Sequence, residues 1–398
     1  MSVHIIELND RNVCLRNQDA ILVQSPGFAN IADKAPVFGE DARRVARLHP
    51  RQTFTQFWSQ LSLDPLVNSN KHFRHQADLA FAHLNTIAQA HEIKDEIIFA
   101  VPSNYNRTQL SILLGLVKSC SFDAAGLVDI PLLAVGNSGQ PEHTVYLDIQ
   151  LHQSVLTSFA RADGKVVRNK VVQIPGTGLL ALHDAWANMI TDEFIKQSRF
   201  NPQHNAETEQ YVYNQLETWL DRTMQDNEIL LEINNKGSVY QARVNRGHFE
   251  QRTRNIITRI KTELDNLAGG DCALHVHEHH ANLPGLGLYL DSISAVRDTL
   301  LMEKCLEHIA QIRGEPGNLN FVTSLPATGS VTGVNGTPVD QRADELTIRF
   351  DTDTAVLNCP SGKATLNGKP AVTGTVLKTG DRIGIAGSTI ELQMVQVE

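Results

Sequence analysis

Apolar positions along the chain fall into two styles, short runs and helical stripes, and their order repeats. At the start, Val3 to Leu8, Val13 to Arg16 and Ala20 to Val23 are short apolar or β-branched runs parted by Asn-Asp and Asn-Gln, and Ser25-Pro26-Gly27 closes the series. Such spacing predicts three strands joined by tight turns. Between Lys71 and His91, Ala77, Leu79, Ala80, Ala82, Leu84, Ile87 and Ala88 recur mostly at helical spacing. Glu96 to Val101 predicts a buried strand that Pro102 ends, and Ser103 is placed to cap a helix over Arg107 to Ser119. Gly126 to Ile130 predicts another strand, with Pro131 in the first turn of the helix that follows.

A second, similar half opens near His143. Thr144 to Asp148 predicts a strand, Ser154 to Arg161 its hairpin partner and Val166 to Gln173 a third. Gly176-Thr177-Gly178 opens a helix expected through Ile190, and residues 192 to 226 are polar and helical. Ile229 to Ile233 and Val239 to Val244 predict a hairpin around Asn234-Asn235-Lys236-Gly237. A long amphipathic helix (Arg246 to Leu267), a strand (Ala273 to Val276) and a helix (Ala295 to Ile312) complete this half. Residues 313–343, rich in Gly, Pro, Thr, Ser and Asn, predict a linker. From Glu345 to Glu398 nearly everything is short strands, with turns at Asn367-Gly368 and Thr379-Gly380-Asp381. The expected architecture is α/β: lobes over 1–142 and 143–312, a linker over 313–343 and a small all-β domain over 344–398.

Composition narrows the function classes. The formal net charge of −9 argues against a dedicated nucleic-acid binder. No apolar run approaches the roughly 18 residues a membrane span needs, and Met1 to Glu7 lacks the basic and apolar segments of a signal peptide. Cys14, Cys120, Cys272, Cys305 and Cys359 are scattered without CxxC spacing, which suggests free thiols in a reducing cytoplasm.

Candidate chemistry is sparse. His275-Val276-His277-Glu278-His279-His280 is the densest histidine cluster, and on a strand His275, His277 and His279 would share a face. A polar loop at a cleft is the expected reading; a metal-dependent enzyme built on this cluster is the rival, and it needs a ligand from elsewhere. No HExxH and no Walker A pattern occurs, and Gly285-Leu286-Gly287 is a lone GxG that turns produce often.

Several collinear stretches carry a resemblance to the Hsp70/actin-like ATPases over residues 3–312. Phe99-Ala100-Val101-Pro102-Ser103-Asn104-Tyr105-Asn106-Arg107-Thr108-Gln109 is similar to the Hsp70 segment in which a strand ends at Val-Pro and a helix starts near an Asn and a Gln. Asp129-Ile130-Pro131-Leu132-Leu133-Ala134, within Gly126 to Gly136, resembles the family's "NEPTAAA" connection. Arg246-Gly247-His248-Phe249-Glu250 resembles its "TRxxFE" helix start. Ser25 to Ala29 and Phe38 to Ala42 are similar to segments of divergent bacterial relatives. The resemblance implies a duplicated ribonuclease H-like core of two lobes, with nucleotide phosphates clamped between two hairpin turns. Glycines there let backbone N–H groups approach phosphate, and an acid in each turn holds Mg²⁺.

Carried over residue by residue, the resemblance puts side chains where the family has glycines. In the first turn Glu7 stands for the family's Asp, Asn9 for its glycine, and Asp10 and Arg11 for two threonines, with Asn12 following. Asp10 would bring a negative charge towards a phosphate unless Mg²⁺ intervened, whereas Arg11 would suit an anion. In the second turn Asp148 keeps the acid, which equally suits a strand-end carboxylate making turn hydrogen bonds. Gln150, Leu151 and His152 replace the three glycines. In the third loop, Val276 to His279, the Gly-Gly pair is gone, and Gly285 and Gly287 follow. The candidate nucleotide cleft is therefore Glu7, Asn9, Asp10, Arg11, Asn12, Asp148, Gln150, His152 and Gly285, with no catalytic residue assigned and no cofactor expected.

In the tail, Thr365 to Val372 and Leu377 to Ile385 resemble the second half of a forkhead-associated domain. Cys359-Pro360-Ser361-Gly362-Lys363 stands where that family's Arg-Ser-x-x-His is expected. The expected function is a non-catalytic scaffold or adaptor in a cytoplasmic protein assembly, with protein partners recruited through 344–398. The alternative is a weak Mg²⁺-dependent, ATP-binding, chaperone-like ATPase.

Overall fold

The computed structural model describes residues 4–326, apart from 19, 34, 94, 95, 136–140, 270, 271, 315–318 and 320, and in the tail 347–351, 354–358, 364–372, 374–378, 382–385 and 391–393. The chain is mixed α/β and divides into two compact units, Met1–Pro326 and Ala327–Glu398.

The first sheet begins with three antiparallel strands, β1 (His4–Glu7), β2 (Val13–Arg16) and β3 (Ile21–Ser25). Two parallel ones follow on the other side of β1: β4 (Ile97–Val101) and β5 (Ala124–Asp129). Ile97-Ile98-Phe99-Ala100-Val101 is buried throughout, as an unbroken apolar run in a central parallel strand should be. Helices α1 (Gln76–Ala90) and α2 (Arg107–Val117) belong to the same half. Asn106, rather than the expected Ser103, caps α2: it exchanges bonds with Gln109 in a capping box, while Ser103 turns its hydroxyl to Asp129.

The second sheet has the same plan. β6 (Thr144–Ile149), β7 (Gln153–Ala162) and β8 (Lys165–Pro175) are antiparallel, and β9 (Ala273–His277) and β10 (Ile293–Val296) continue in parallel from β6. In both sheets the order is third, second, first, fourth, fifth, with matching strand senses. The helix expected from Ala295 starts later, because Ile293-Ser294-Ala295-Val296 is taken into the sheet as β10.

The helical stretch after β8 is two helices, α3 (Leu179–Ser198) and α4 (Ala206–Gln225). They part where Arg199 turns left-handed at φ 56° and Pro202 follows, and Asn205 caps α4. The predicted hairpin joins Ile229–Asn235 to Ser238–Val244 through Lys236-Gly237, both at positive φ as a type I′ turn requires. α5 (Arg246–Ala268) is capped by Asn245 and stopped by Gly269. α6 (Asp298–Glu307) follows β10.

Phe321–Val322 (β11) and Ser324–Pro326 (β12), inside the stretch expected as a linker, pair with different sheets. β11 extends the first sheet beside β5, and β12 extends the second beside β8.

In the second unit, Thr347–Asp351, Thr354–Asn358 and Thr375–Leu377 form one small sheet; Lys369–Pro370, Ala364–Leu366, Arg382–Ile385 and Glu391–Gln393 form another. The Asn367-Gly368 turn is present with both residues at positive φ. Cys359 to Lys363 and Thr379 to Asp381 lie outside the described residues.

Candidate functional site

The first hairpin turn follows β1 and the second follows β6, the corresponding strand of the other sheet. The turns are bonded directly to each other. Asn9 Nδ2 donates to both carboxylate oxygens of Asp148, at 3.0 and 3.1 Å, and both residues are buried. The Leu151 amide donates to Asp10 Oδ1 at 2.8 Å. Gln150 Nε2 donates to Asp148 Oδ2 at 2.8 Å and to Asn104 Oδ1 at 2.9 Å. His152 Nε2 meets the Thr55 carbonyl at 2.9 Å. Each of these bonds except Gln150 to Asp148 joins residues from before and after position 142.

Backbone geometry completes the closure. The free amides at the start of α3 are the kind of group that binds anions. Here Leu179 and Leu180 donate to the carbonyls of Gln150 and Leu151, at 2.9 and 3.0 Å. Glycines stand opposite the turns. A Cβ on Gly27 would lie 2.2 Å from the Asp10 carbonyl oxygen, and one on Gly178 2.6 Å from that of Gln150. Gly27 and Gly178 thus allow the turns to sit against neighbouring backbone.

Two arginines offset part of the negative charge in this region. Glu7, expected as a Mg²⁺ acid, pairs with Arg16 at 2.9 Å and lies 3.7 Å from Arg11. Arg16 also reaches Asp298, by its backbone oxygen at 2.7 Å and Oδ1 at 3.4 Å. Burial pushes Asp10 up to about 7, opposed by the Leu151 amide and reinforced by the charge of Asp148; its Oδ2 lacks a hydrogen bond of ordinary geometry. Burial also raises Asp148, against the pull of Arg11 and the bonds from Gln150 and Asn9. Asn12 donates its amide to the Asn9 carbonyl at 3.0 Å as part of the turn. The structure brings eight of the nine candidate residues together or into the two turns that meet. Gly285 is elsewhere: at φ 88° it caps the short helix Leu286–Tyr289, and its close neighbours are Thr253, Ile257 and Tyr289.

The histidine cluster departs from the strand expectation. β9 ends at His277, and Glu278–Ala281 is a short helix, so His275, His277 and His279 do not share a strand face. His277 and His279 nevertheless stack, with ring centroids 5.1 Å apart, and Asp298 joins them: His277 Nε2 lies 2.8 Å from Oδ1 and His279 Nε2 3.1 Å from Oδ2. The Asp298 amide donates to Glu278 Oε1 at 2.8 Å. The bond from His277, with the Arg16 guanidinium nearby, holds the Asp298 carboxyl well below the usual range against the opposing effect of burial.

Other buried polar groups serve packing. Ser25 Oγ is 2.7 Å from His83 Nε2, but His83 Nδ1 accepts from Trp58 Nε1–H at 3.0 Å. Nε2 therefore carries the ring proton and donates to Ser25, the wrong direction for activating a nucleophile. Burial raises the Cys14 and Cys305 thiols to about 12 and Cys120 to about 11, so none is a ready thiolate. Asp129, wholly buried at the end of β5, accepts from Ser103 Oγ, from the Leu132 amide and, at 2.7 Å, from Arg168 of β8. Arg16, Asp298 and Arg168 carry no local motif, and only the folded chain brings them to these partners. Among the described residues no helix is long and apolar enough to cross a membrane. Comparison with models of protein families finds no match, and no curated protein matches the chain.

Proposed function

We propose that the chain is a two-lobed relative of the Hsp70/actin ATPases that does not turn over nucleotide and acts as a scaffold or adaptor in a protein assembly. The repeated strand order supports the kinship: third, second, first, fourth, fifth, with the same senses in both sheets, is the arrangement a duplicated ribonuclease H-like core requires. The observation that carries the loss of turnover is the bond from Asn9 to both oxygens of Asp148. In the working family these two turns stand apart with phosphates and Mg²⁺ between them. Here the retained acid is consumed by the residue replacing a glycine, and the first amides of α3 are consumed by the opposite turn's carbonyls. A triphosphate would have to break these bonds and face the buried Asp10 carboxyl as well.

The small β-unit, forkhead-associated-like in this reading, is the recruiting part. The test uses the full chain. Calorimetric titration with Mg²⁺ and ATP should give no saturable heat, and capture of protein partners should fail once residues 345–398 are removed. Micromolar ATP binding that disappears in Asp148→Ala would overturn the reading and favour the ATPase alternative; partner capture unchanged by the deletion would remove the tail from it.

A further inference from the structure

We infer that His277, His279 and Asp298 form a binding site for a divalent first-row metal ion that prefers nitrogen and oxygen donors, such as Zn²⁺ or Co²⁺. The donor atoms converge: one from each residue lies within 4.8 Å of the others, and the two His-to-Asp distances are 2.8 and 3.1 Å. Ligands bound to one ion at about 2.0–2.1 Å sit about 3.3 Å from each other, so small side-chain shifts suffice. Imidazole donors select Zn²⁺ or its neighbours over Mg²⁺ and Ca²⁺, which want oxygen throughout.

The surroundings fit a cation. Glu7, Asp148, Glu278 and Asp298 outnumber Arg11 and Arg16 in the linked network here, so an added dication offsets negative charge. The ligands are oriented from behind: the Asp298 amide is held by Glu278, and its carboxylate is steadied by Arg16. Solvent reaches the site from one side, since the His279 side chain is 56% exposed whereas that of His277 is only 4%. With three protein ligands, water completes the coordination.

His277 Nδ1 accepts from the His279 amide at 3.4 Å, so Nε2 carries the ring proton and donates to Asp298. A metal at Nε2 replaces that proton, which moves to Nδ1 and displaces the His279 amide, a long and weak bond. His279 undergoes the same tautomer shift with no bond to lose at Nδ1 in the cluster, and no net proton is released when both rings begin neutral.

The experiment is a Co²⁺ titration of the untagged, chelator-treated full chain followed by visible absorption, with Zn²⁺ as competitor. The expected result is a saturable set of d–d bands, abolished by Zn²⁺ and unmoved by excess Mg²⁺. His279→Ala, at an exposed position, should keep the far-UV circular dichroism and weaken Co²⁺ by more than the roughly 10–100-fold that loss of an outer-shell partner costs. Asp298→Asn should also weaken it, and His72→Ala, exposed and remote in sequence, should not. Absence of d–d bands beyond those of free Co²⁺, or equal affinity in His279→Ala, overturns the assignment.

Discussion

At the scale of single residues, the decisive feature is a carboxyl enclosed by its own chain. Asp10 is buried, accepts from the Leu151 amide, and is pushed by burial from 3.8 up to about 7. The folded state therefore binds a proton more tightly than the unfolded one, the reverse of a salt-bridged Asp. By linkage, the Asp10 contribution is most favourable below about pH 4 and is lost as pH rises from there through about 7. Asp10→Asn keeps an oxygen for the Leu151 amide and removes the titration. The difference in unfolding free energy between variant and wild type should shift in favour of the variant by a few kcal/mol, about 1.4 per unit of raised pKa, between pH 4 and pH 8. Urea unfolding across that range reads it, and parallel curves would refute it. Using the difference matters, because His83, lowered to about 3 by burial, pulls the other way: its contribution is present above about 6.5 and lost as pH falls towards 3.

At the scale of elements, the two sheets share one short connection. β11 and β12, only Thr323 apart, extend the first sheet at β5 and the second at β8, and the Thr323 carbonyl accepts from Arg168 at 3.0 Å. Leu325 is wholly buried opposite Val166. Leu325→Ala should cost about 2–5 kcal/mol as a buried truncation. Because the same segment serves both sheets, amide exchange should quicken in β5 as well as in β8. Loss of protection confined to β8 would show that the two pairings are independent.

This connection also marks the limit of what the sequence discloses. The apolar run Ile97 to Val101 and the hairpin turn ending in Lys236-Gly237 were legible because each signal is local: burial on both faces, and a pair of left-handed residues; the helix at Arg107 was legible too, but its cap is Asn106 and not Ser103. That Asn9 would bond Asp148, that Asp298 would bridge His277 and His279, and that residues 321–326 would be strand rather than linker depend on contacts between distant parts of the chain. Neither periodicity nor turn chemistry records those. Ala295 and Val296 misled because two apolar residues ahead of a helix look like its first turn until a parallel neighbour claims them.

At the scale of the whole first unit, the parts of the chain that carry the two sheets are joined at several depths, and the joints differ in worth. Near the surface, Arg43 meets Glu217, with 31% and 60% of their side chains exposed, and Arg47 meets Asp184. Solvent and salt weaken such pairs to about 0–1 kcal/mol each. Deeper in, Arg168 of β8 meets Asp129 of β5, whose side chain is 0% exposed. Arg168→Ala would leave a buried carboxylate with only Ser103 and the Leu132 amide, at a cost of about 3–5 kcal/mol. Arg43→Ala should cost less than about 1 kcal/mol. Burial already raises Asp129 despite Arg168, and removing the guanidinium raises it further. The loss in Arg168→Ala should therefore be greater at pH 8 than at pH 5, where protonation relieves the stranded charge. Urea unfolding of both variants at the two pH values decides the matter. If Arg43→Ala costs as much as Arg168→Ala, the joints at the rim carry the load, and the interior ones are not what keeps the two sheets together.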